Sequence, residues 1–298
     1  MPELPETETL ARDLDRLLPG RRIAEVRVLR SDVLRGIGPK QLGTRLAGAE
    51  IVRVWRRAKM VVIDVRPVPD ARTTRRGDHW GNGPAPTSQP AIERLVVQPR
   101  FTGGLVVDLA GLPATDAYAA IEFRLEDGGR FTYRDVRRLG TVALLDAAQF
   151  AKLDRRLGVE PLDSSFTTTR LSDFLRSSDR AVKKILMDQR LVAGVGNIYA
   201  NEALWLARVD PSRPGRRVAQ ALIPGLRDAV VRVLTEAIEA RGTTFRDFRD
   251  AHGERGGYAA RLAVYGRAGA ACRRCATRLA ETHAIDGRAT VFCFRCQS

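Results

Sequence analysis

The hydrophobic period of this chain changes once, near residue 150, and that change limits the possible folds more than any other feature. From Ile23 to about Leu145 the apolar residues fall in short β-type runs: Val26 to Leu29, Ile51 to Trp55, Met60 to Val65, Leu95 to Val97, Leu105 to Leu109, Ile121 to Leu125, Phe131 to Tyr133 and Thr141 to Leu145. Gly103-Gly104 and Asp127-Gly128-Gly129 supply hairpin-type turns between some of them, so a mostly antiparallel β-sandwich is expected. A polar stretch from Asp154 to Thr169, with Gly158, Pro161 and Ser164-Ser165, then leads into helical periodicity. Val182, Ile185 and Leu186 form one helical segment, Ile198 to Leu206 a second and Val218 to Ile238 a third. A further helix opens the chain, its stripe of Leu10, Leu14, Leu17 and Leu18 running over Thr7 to Leu18 and stopping at Pro19-Gly20. The reading is α+β. An N-terminal antiparallel β-sandwich with a flanking helix spans 1–150, a linker 151–165, a helical domain 166–262 and a cysteine module 263–298. Within the first part, Arg66 to Pro90 lacks periodicity and is rich in Pro, Gly, Thr and Arg, which marks a long surface insertion at 66–90 between two strands.

Only four cysteines occur, none before residue 272, which is a poor plan for a disulfide framework across 298 residues. Cys272-Arg-Arg-Cys275, seventeen residues, then Cys293-Phe-Arg-Cys296 is instead metal spacing. Each pair places two thiolates on one tight turn, and two such turns close a tetrahedral site around one structural Zn2+ with no open position for chemistry. His283 falls between the pairs as a hairpin or solvent-side residue. Asp286-Gly287-Arg288-Ala289-Thr290 reads as a turn into a short strand, so a β-hairpin would carry Arg288 at its tip, where an arginine suits a phosphate.

Fifty Lys and Arg face 35 Asp and Glu, a net charge of +15. A polyanion is the natural partner, and nucleic acid leads over a membrane surface; an Arg-rich solubilising surface is the plainer alternative. No stretch approaches the roughly 18 apolar residues of a bilayer span. The acidic start, with Glu3, Glu6 and Glu8, is opposite to a secretory signal, so a cytoplasmic protein is expected.

Met1-Pro2-Glu3-Leu4-Pro5-Glu6 places an imino acid and two carboxylates just ahead of a helix. Were Met1 removed, Pro2 would carry a secondary amine able to attack a sugar C1′ and form an iminium. Taken alone, the same segment is equally a helix lead-in, its carboxylates complementing the helix dipole.

Four separated segments decide between these readings, because together they resemble the formamidopyrimidine-DNA glycosylase and endonuclease VIII family. They are the PELPE opening; Arg56-Arg57-Ala58-Lys59; the run from Leu186 through Gly194-Val195-Gly196-Asn197 to Glu202; and Val264-Tyr265-Gly266-Arg267 with Gly287-Arg288-Ala289-Thr290. The resemblance covers nearly the whole chain outside 66–90. It implies a helix-two-turn-helix DNA-binding domain over 166–262 and a zinc ribbon over 263–298. The implied activity is bifunctional: a glycosylase and abasic-site lyase of base excision repair, acting as a monomer on double-stranded DNA.

By resemblance Pro2 is the nucleophile, Glu3 the acid/base at the sugar ring oxygen, and Lys59 a stabiliser of the neighbouring phosphate. Asn197 and Arg288 would clamp flanking phosphates, and Lys183 would add a contact or be an ordinary surface lysine. The plug that fills the hole left by an extruded nucleotide would be Phe101, Arg137 and Leu139, unless Phe101 and Leu139 are core strand residues. Phe101 replaces the family's usual methionine and Leu139 a phenylalanine, while Gln98 stands where a phosphate-contacting histidine is common. Gly242-Thr243-Thr244-Phe245-Arg246-Asp247-Phe248 resembles the loop that covers an oxidised purine, so Thr243, Thr244 and Glu6 are the expected lesion contacts. PELPE favours the formamidopyrimidine branch and hence 8-oxoguanine and formamidopyrimidines. An endonuclease VIII-like enzyme for oxidised pyrimidines is the alternative within the family, and a non-catalytic DNA-binding zinc protein the alternative outside it.

Overall fold

The computed structural model describes residues 2–68, 91–110 and 116–298. Most of the expected 66–90 insertion therefore lies outside the described residues. The chain forms two compact units, each drawing on more than one segment. Met1–Thr9, Arg56–Met60 and Leu153–Ser298 make one; Leu10–Trp55 and Val61–Lys152 make the other.

The second unit is built on two four-stranded sheets. One has the order β1 (Ile23–Val28), β6 (Ala119–Leu125), β7 (Arg130–Asp135), β5 (Gly103–Asp108), with every neighbouring pair antiparallel. The other is β2 (Glu50–Arg57), β3 (Met60–Arg66), β4 (Glu93–Gln98), β8 (Thr141–Leu145). Alternation is clean in β7, whose Phe131, Tyr133 and Asp135 point inward, and in β8, whose Val142 and Leu144 do. Strand β3 is buried on both faces, which fits its apolar Met60 to Ile63, and its buried Asp64 is hydrogen-bonded to Arg53 and Trp55. Phe123 and Phe131 stack across the β6–β7 ladder at 4.4 Å, each fully buried, and each such ring is worth roughly 1.5–3 kcal/mol over exposure.

The first unit has a helical core. Helices α4 (Thr168–Arg176), α5 (Val182–Met187), α6 (Asn197–Leu206) and α7 (Ile223–Glu239) pack with Leu4, the first residue of α1 (Leu4–Leu17). All of Asn197 to Leu204 is buried, so α6 is the central helix, and its polar residues Asn197, Asn201 and Glu202 are hydrogen-bonded inside the protein. Its C-terminal side carries the cysteine module, where Val264, Cys272, Leu279, Val291 and Cys293 form a small core against Trp205. Strands β9 (Ala280–Thr282) and β10 (Thr290–Phe292) pair antiparallel and leave Arg288 exposed in the connecting turn.

Three differences from the periodicity have plain causes. Helix α1 starts at Leu4 rather than Thr7, because Pro5 suits a first helical turn. Helix α7 starts at Ile223 rather than Val218: Pro224 cannot sit inside a helix, and it takes the first-turn position instead. Helices α2 (Pro39–Leu46), α3 (Ala147–Asp154) and α4 carry too few turns for a visible stripe, and α4 is set by Thr167, whose side chain accepts the Arg170 N–H at 3.1 Å.

Candidate active site and nucleic-acid interface

Within the first unit, three short segments converge on Gly196. The backbone N–H of Leu4 donates to the carbonyl of Gly194 at 3.1 Å, fixing the start of α1 against the turn that leads into α6. Gly194 has φ +89°, and a Cβ there would meet Leu4 side-chain atoms at 2.7 Å, so glycine is required twice over. Gln189 braces that turn, donating to the carbonyls of Met187 and Val195 and accepting the Gly194 N–H. At Gly196 a Cβ would lie 2.3 Å from Glu3 Cδ and 2.5 Å from Lys59 Nζ. The missing side chain thus makes room for a carboxylate and an ammonium against one backbone atom.

Glu3 is buried, as are Pro2 and Leu4 beside it. Its Oε1 accepts the Ile198 N–H at 3.0 Å, satisfying one of the free donors at the start of α6. Its Oε2 is buried without a hydrogen-bond partner among the described residues. A buried carboxylate oxygen left in this state costs free energy, and such sites tend to be functional. Lys59 lies close by; burial pulls its ammonium below the usual lysine range, Glu3 opposes that shift and Arg288 adds to it.

Lys59 is held in place by its neighbours on the β2–β3 turn. Ala58 has φ +52°, an uncommon backbone for a residue with a Cβ. Glu160 stabilises it: one carboxylate accepts the Ala58 N–H at 2.7 Å, Arg57 Nη1 at 2.8 Å and Arg56 Nη1 at 2.6 Å. Arg56 also reaches Glu8 and Arg57 also reaches Asp154, at 2.7 and 2.5 Å. The sequence reading missed Glu160, because a partner a hundred residues away leaves no mark in local spacing.

Glu6 is the hub of a second buried cluster. Its Oε2 accepts the Glu3 N–H at 2.8 Å, and its Oε1 accepts the Thr243 N–H at 2.7 Å and the Tyr199 hydroxyl. Burial first, then the charge of Glu3, pushes the Glu6 carboxyl above the usual range, against the opposing pull of the Tyr199 hydrogen bond. Tyr199 is itself driven well up by burial and by Glu6. The expected lesion contacts here need correction at the side-chain level. The Thr243 hydroxyl is 2.9 Å from the Tyr199 hydroxyl; that of Thr244 donates to the Phe248 carbonyl and accepts the Gly256 N–H. Both threonines are buried and engaged, anchoring the base of the loop rather than presenting hydroxyls from it.

The phosphate candidates gather where α6 meets the hairpin turn. Asn197 Nδ2 donates to the Ala289 carbonyl at 3.1 Å, and Asn201 Oδ1 accepts the Val291 N–H at 2.8 Å. Lys183 is not a surface lysine: it is 0% exposed, with Nζ 2.6 Å from Thr290 Oγ1 and 3.3 Å from Asp286 Oδ1. Burial lowers its pKa against the opposing pull of Asp286. Arg288 stays exposed at the rim of an open cleft of about 510 Å³ that Arg180, Lys184 and Arg190 also line, a basic surface suited to a phosphate backbone. Glu202, the last residue of the Leu186–Glu202 motif, accepts the N–H groups of Ala263, Val264 and Tyr265 at 2.7–2.9 Å and so seats the start of the cysteine module.

The four cysteine sulfurs lie within 4.8 Å of one another. That spread fits one metal ion, since four thiolates about 2.3 Å from a common centre sit within such a distance of each other. Trp205 Nε1 donates to Cys272 Sγ at 3.4 Å, under the Arg274 guanidinium.

In the second unit, Phe101 and Leu139 are each 43% exposed, on the turns after β4 and after β7, and are not core residues. The Arg137 guanidinium lies 4.7 Å from the Phe101 ring centroid. Gln98 is the last residue of β4, paired with Thr141 of β8.

Two family models match the chain: the formamidopyrimidine-DNA glycosylase N-terminal domain over 1–142 and the formamidopyrimidine-DNA glycosylase H2TH domain over 157–249. A formamidopyrimidine-DNA glycosylase of Chloroflexus aggregans is 37% identical, with 100% of this chain and 98% of the relative aligned. Among solved structures, the Lactococcus lactis Fpg (MutM) complex with N7-benzyl-Fapy-dG DNA aligns with TM-score 0.83, 29% identity and all of both chains. The same enzyme bound to DNA containing an oxidised pyrimidine aligns equally well, at 0.83, 29% and full coverage. The molecule is thus a DNA glycosylase of base excision repair. Within that class it belongs to the formamidopyrimidine-DNA glycosylase family.

Proposed function

We propose that the chain removes oxidised purines, 8-oxoguanine and formamidopyrimidines, from double-stranded DNA and then nicks the strand. The observation that carries this reading is the single unpaired carboxylate oxygen of Glu3, buried beside Lys59 where Gly196 leaves room for both. The Pro2 nitrogen, free as a secondary amine, attacks C1′ of the extruded nucleotide; the C1′–N bond breaks and the base leaves with a proton. Glu3 Oε2 is the atom available to pass a proton to the ring oxygen as the sugar opens to the iminium. Loss of a C2′ proton then expels the 3′ phosphate, whose charge Lys59 offsets. Water finally releases Pro2.

Asn197 and Arg288 are read as phosphate contacts, with Lys183 acting on the Arg288 turn from beneath. Phe101, Arg137 and Leu139 are read as the plug. The Thr243 and Thr244 segment serves lesion binding through its backbone, anchored by the two hydroxyls and by Glu6. The four cysteines would hold one structural Zn2+, which keeps the Arg288 turn in position and takes no part in the chemistry. A monomer acting on the nucleoid in the cytoplasm fits the basic charge. The likeness to an enzyme structure with an oxidised pyrimidine in its DNA favours oxidised pyrimidines as a second substrate class.

Borohydride trapping is the test. Wild-type protein should form a covalent adduct with an abasic duplex, and Pro2→Gly should form none; absence of the wild-type adduct would overturn the reading. Excision measured on 8-oxoguanine and oxidised-pyrimidine duplexes then ranks the two substrate classes.

A further inference from the structure

The two exposed turns of the second unit are joined beneath their surface by one buried carboxylate. Asp135, the last residue of β7, is 2% exposed. Its Oδ1 accepts the Thr102 hydroxyl at 2.5 Å, and its Oδ2 accepts the Gly140 N–H at 2.8 Å and the Tyr133 hydroxyl at 3.0 Å. Thr102 in turn accepts the backbone N–H of Arg137 at 3.0 Å. Residues 101–102 and 137–140 are therefore cross-linked from below by Thr102 and Asp135, while the Phe101–Arg137 contact links them from above.

Both turns hold strained backbone. Arg100 has φ +49° and Arg138 φ +55°, each next to an exposed apolar residue, and such conformations cost about 1 kcal/mol or more apiece for residues with a Cβ. Both turns also close on the Tyr133 hydroxyl. A Cβ at Gly140 would lie 2.0 Å from it, and one at Gly103 would lie 2.8 Å from it and 2.3 Å from the Pro99 carbonyl. Strained turns persist only where the surroundings over-determine them. Here the surroundings are one tyrosine and one threonine whose hydroxyls both donate to one aspartate.

We propose that Asp135, Thr102 and Tyr133 form a positioning node that pre-orders the Phe101 and the Arg137–Leu139 turns as a rigid wedge for entering the base stack. The inference rests on the reading of Phe101, Arg137 and Leu139 as the plug. A wedge must hold its shape while displacing stacked bases, so an apolar tip on a floppy loop would yield instead of the DNA. The node touches no reacting atom; its effect is confined to the step that opens the duplex.

Thr102→Val removes the hydroxyl at constant shape and breaks both the Asp135 and the Arg137 links. Excision of 8-oxoguanine from a duplex is expected to fall about tenfold. Borohydride trapping on a single-stranded abasic oligonucleotide, which has no stack to open, should fall less than threefold. Thr102→Ser keeps the hydroxyl and should restore duplex excision, and Asp135→Asn should reproduce the split between the two DNAs. Equal losses on the two DNAs, no loss on either, or failure of Thr102→Ser to restore activity would each overturn the proposal. Failure of the wild-type protein to be trapped on either DNA would instead remove the glycosylase reading.

Discussion

The surroundings of Glu3 and the paired turns around Phe101 and Leu139 solve opposite problems. Around Glu3 the charges are buried: one oxygen of its carboxylate accepts the Ile198 N–H, and the other has no hydrogen-bond partner among the described residues. Around Phe101 and Leu139 the apolar groups are exposed, and the polar partners lie underneath. The first arrangement holds a carboxylate and an ammonium still inside the protein, where small displacements are costly. The second holds a hydrophobic surface still outside it, where the restraint has to come from the polar groups beneath the turns. Glycine serves both: Gly196 makes room for two ionic groups, and Gly140 makes room for the tyrosine hydroxyl that supports a turn.

Substituting the two glycines should break this comparison most sharply. Gly196→Ala drives a methyl into Glu3 and Lys59; misplacement by about 1 Å costs on the order of a hundredfold, so adduct formation should be lost on duplex and single strand alike. Gly140→Ala should instead lose duplex excision while keeping most single-strand trapping. If both variants fail equally on both DNAs, the two regions are not separable. Next in size is Glu160→Gln, which leaves Arg56, Arg57 and the Ala58 N–H short of a carboxylate. Breaking such a part-buried network should cost about 3 kcal/mol in urea unfolding and lower kcat by roughly tenfold or more, with KM little changed. An unchanged kcat would show that the Ala58 turn does not position Lys59.

Phe101→Ala tests the exposed side. Because the ring is exposed, stability should move by no more than about 0.5 kcal/mol, while duplex excision falls several-fold. A large stability loss would return Phe101 to the core. The smallest effect concerns pH. Arg288 holds the Lys59 ammonium down together with burial, so Arg288→Ala should raise that pKa. Lys59 keeps its charge to higher pH in the variant. The alkaline limb of the rate profile, normalised to each protein's maximum, should therefore move upward by a few tenths of a pH unit, since a whole unit would need 1.36 kcal/mol of interaction. An unmoved limb would show that the two cations do not sense one another.

What was legible in the sequence was whatever local spacing encodes. Cys272, Cys275, Cys293 and Cys296 announced a metal site because two tight turns and four thiolates are a local matter. The PELPE opening and Gly194-Val195-Gly196-Asn197 were visible for the same reason, and the strands followed from their alternation. Partner choice across the fold was not legible. Nothing near Glu160 says that it takes two arginines and a backbone N–H from residues 56–58, and nothing near Thr102 points to Asp135. For Lys183 the sequence left a phosphate contact and a surface lysine both open, because its partners, Asp286 and Thr290, lie about a hundred residues on. For Thr243 and Thr244 the direction of each hydroxyl was not legible, because it is decided by neighbours such as Tyr199 and Gly256.

The interior location of Lys183 means that the C-terminal hairpin cannot come loose as an independent flap. Opening it would take both the Asp286 carboxylate and the Thr290 hydroxyl from the Lys183 ammonium, so water would have to enter on the α5 side to solvate it. Damage to the thiolates would accordingly be felt as cooperative softening of the whole helical unit, in place of a frayed end.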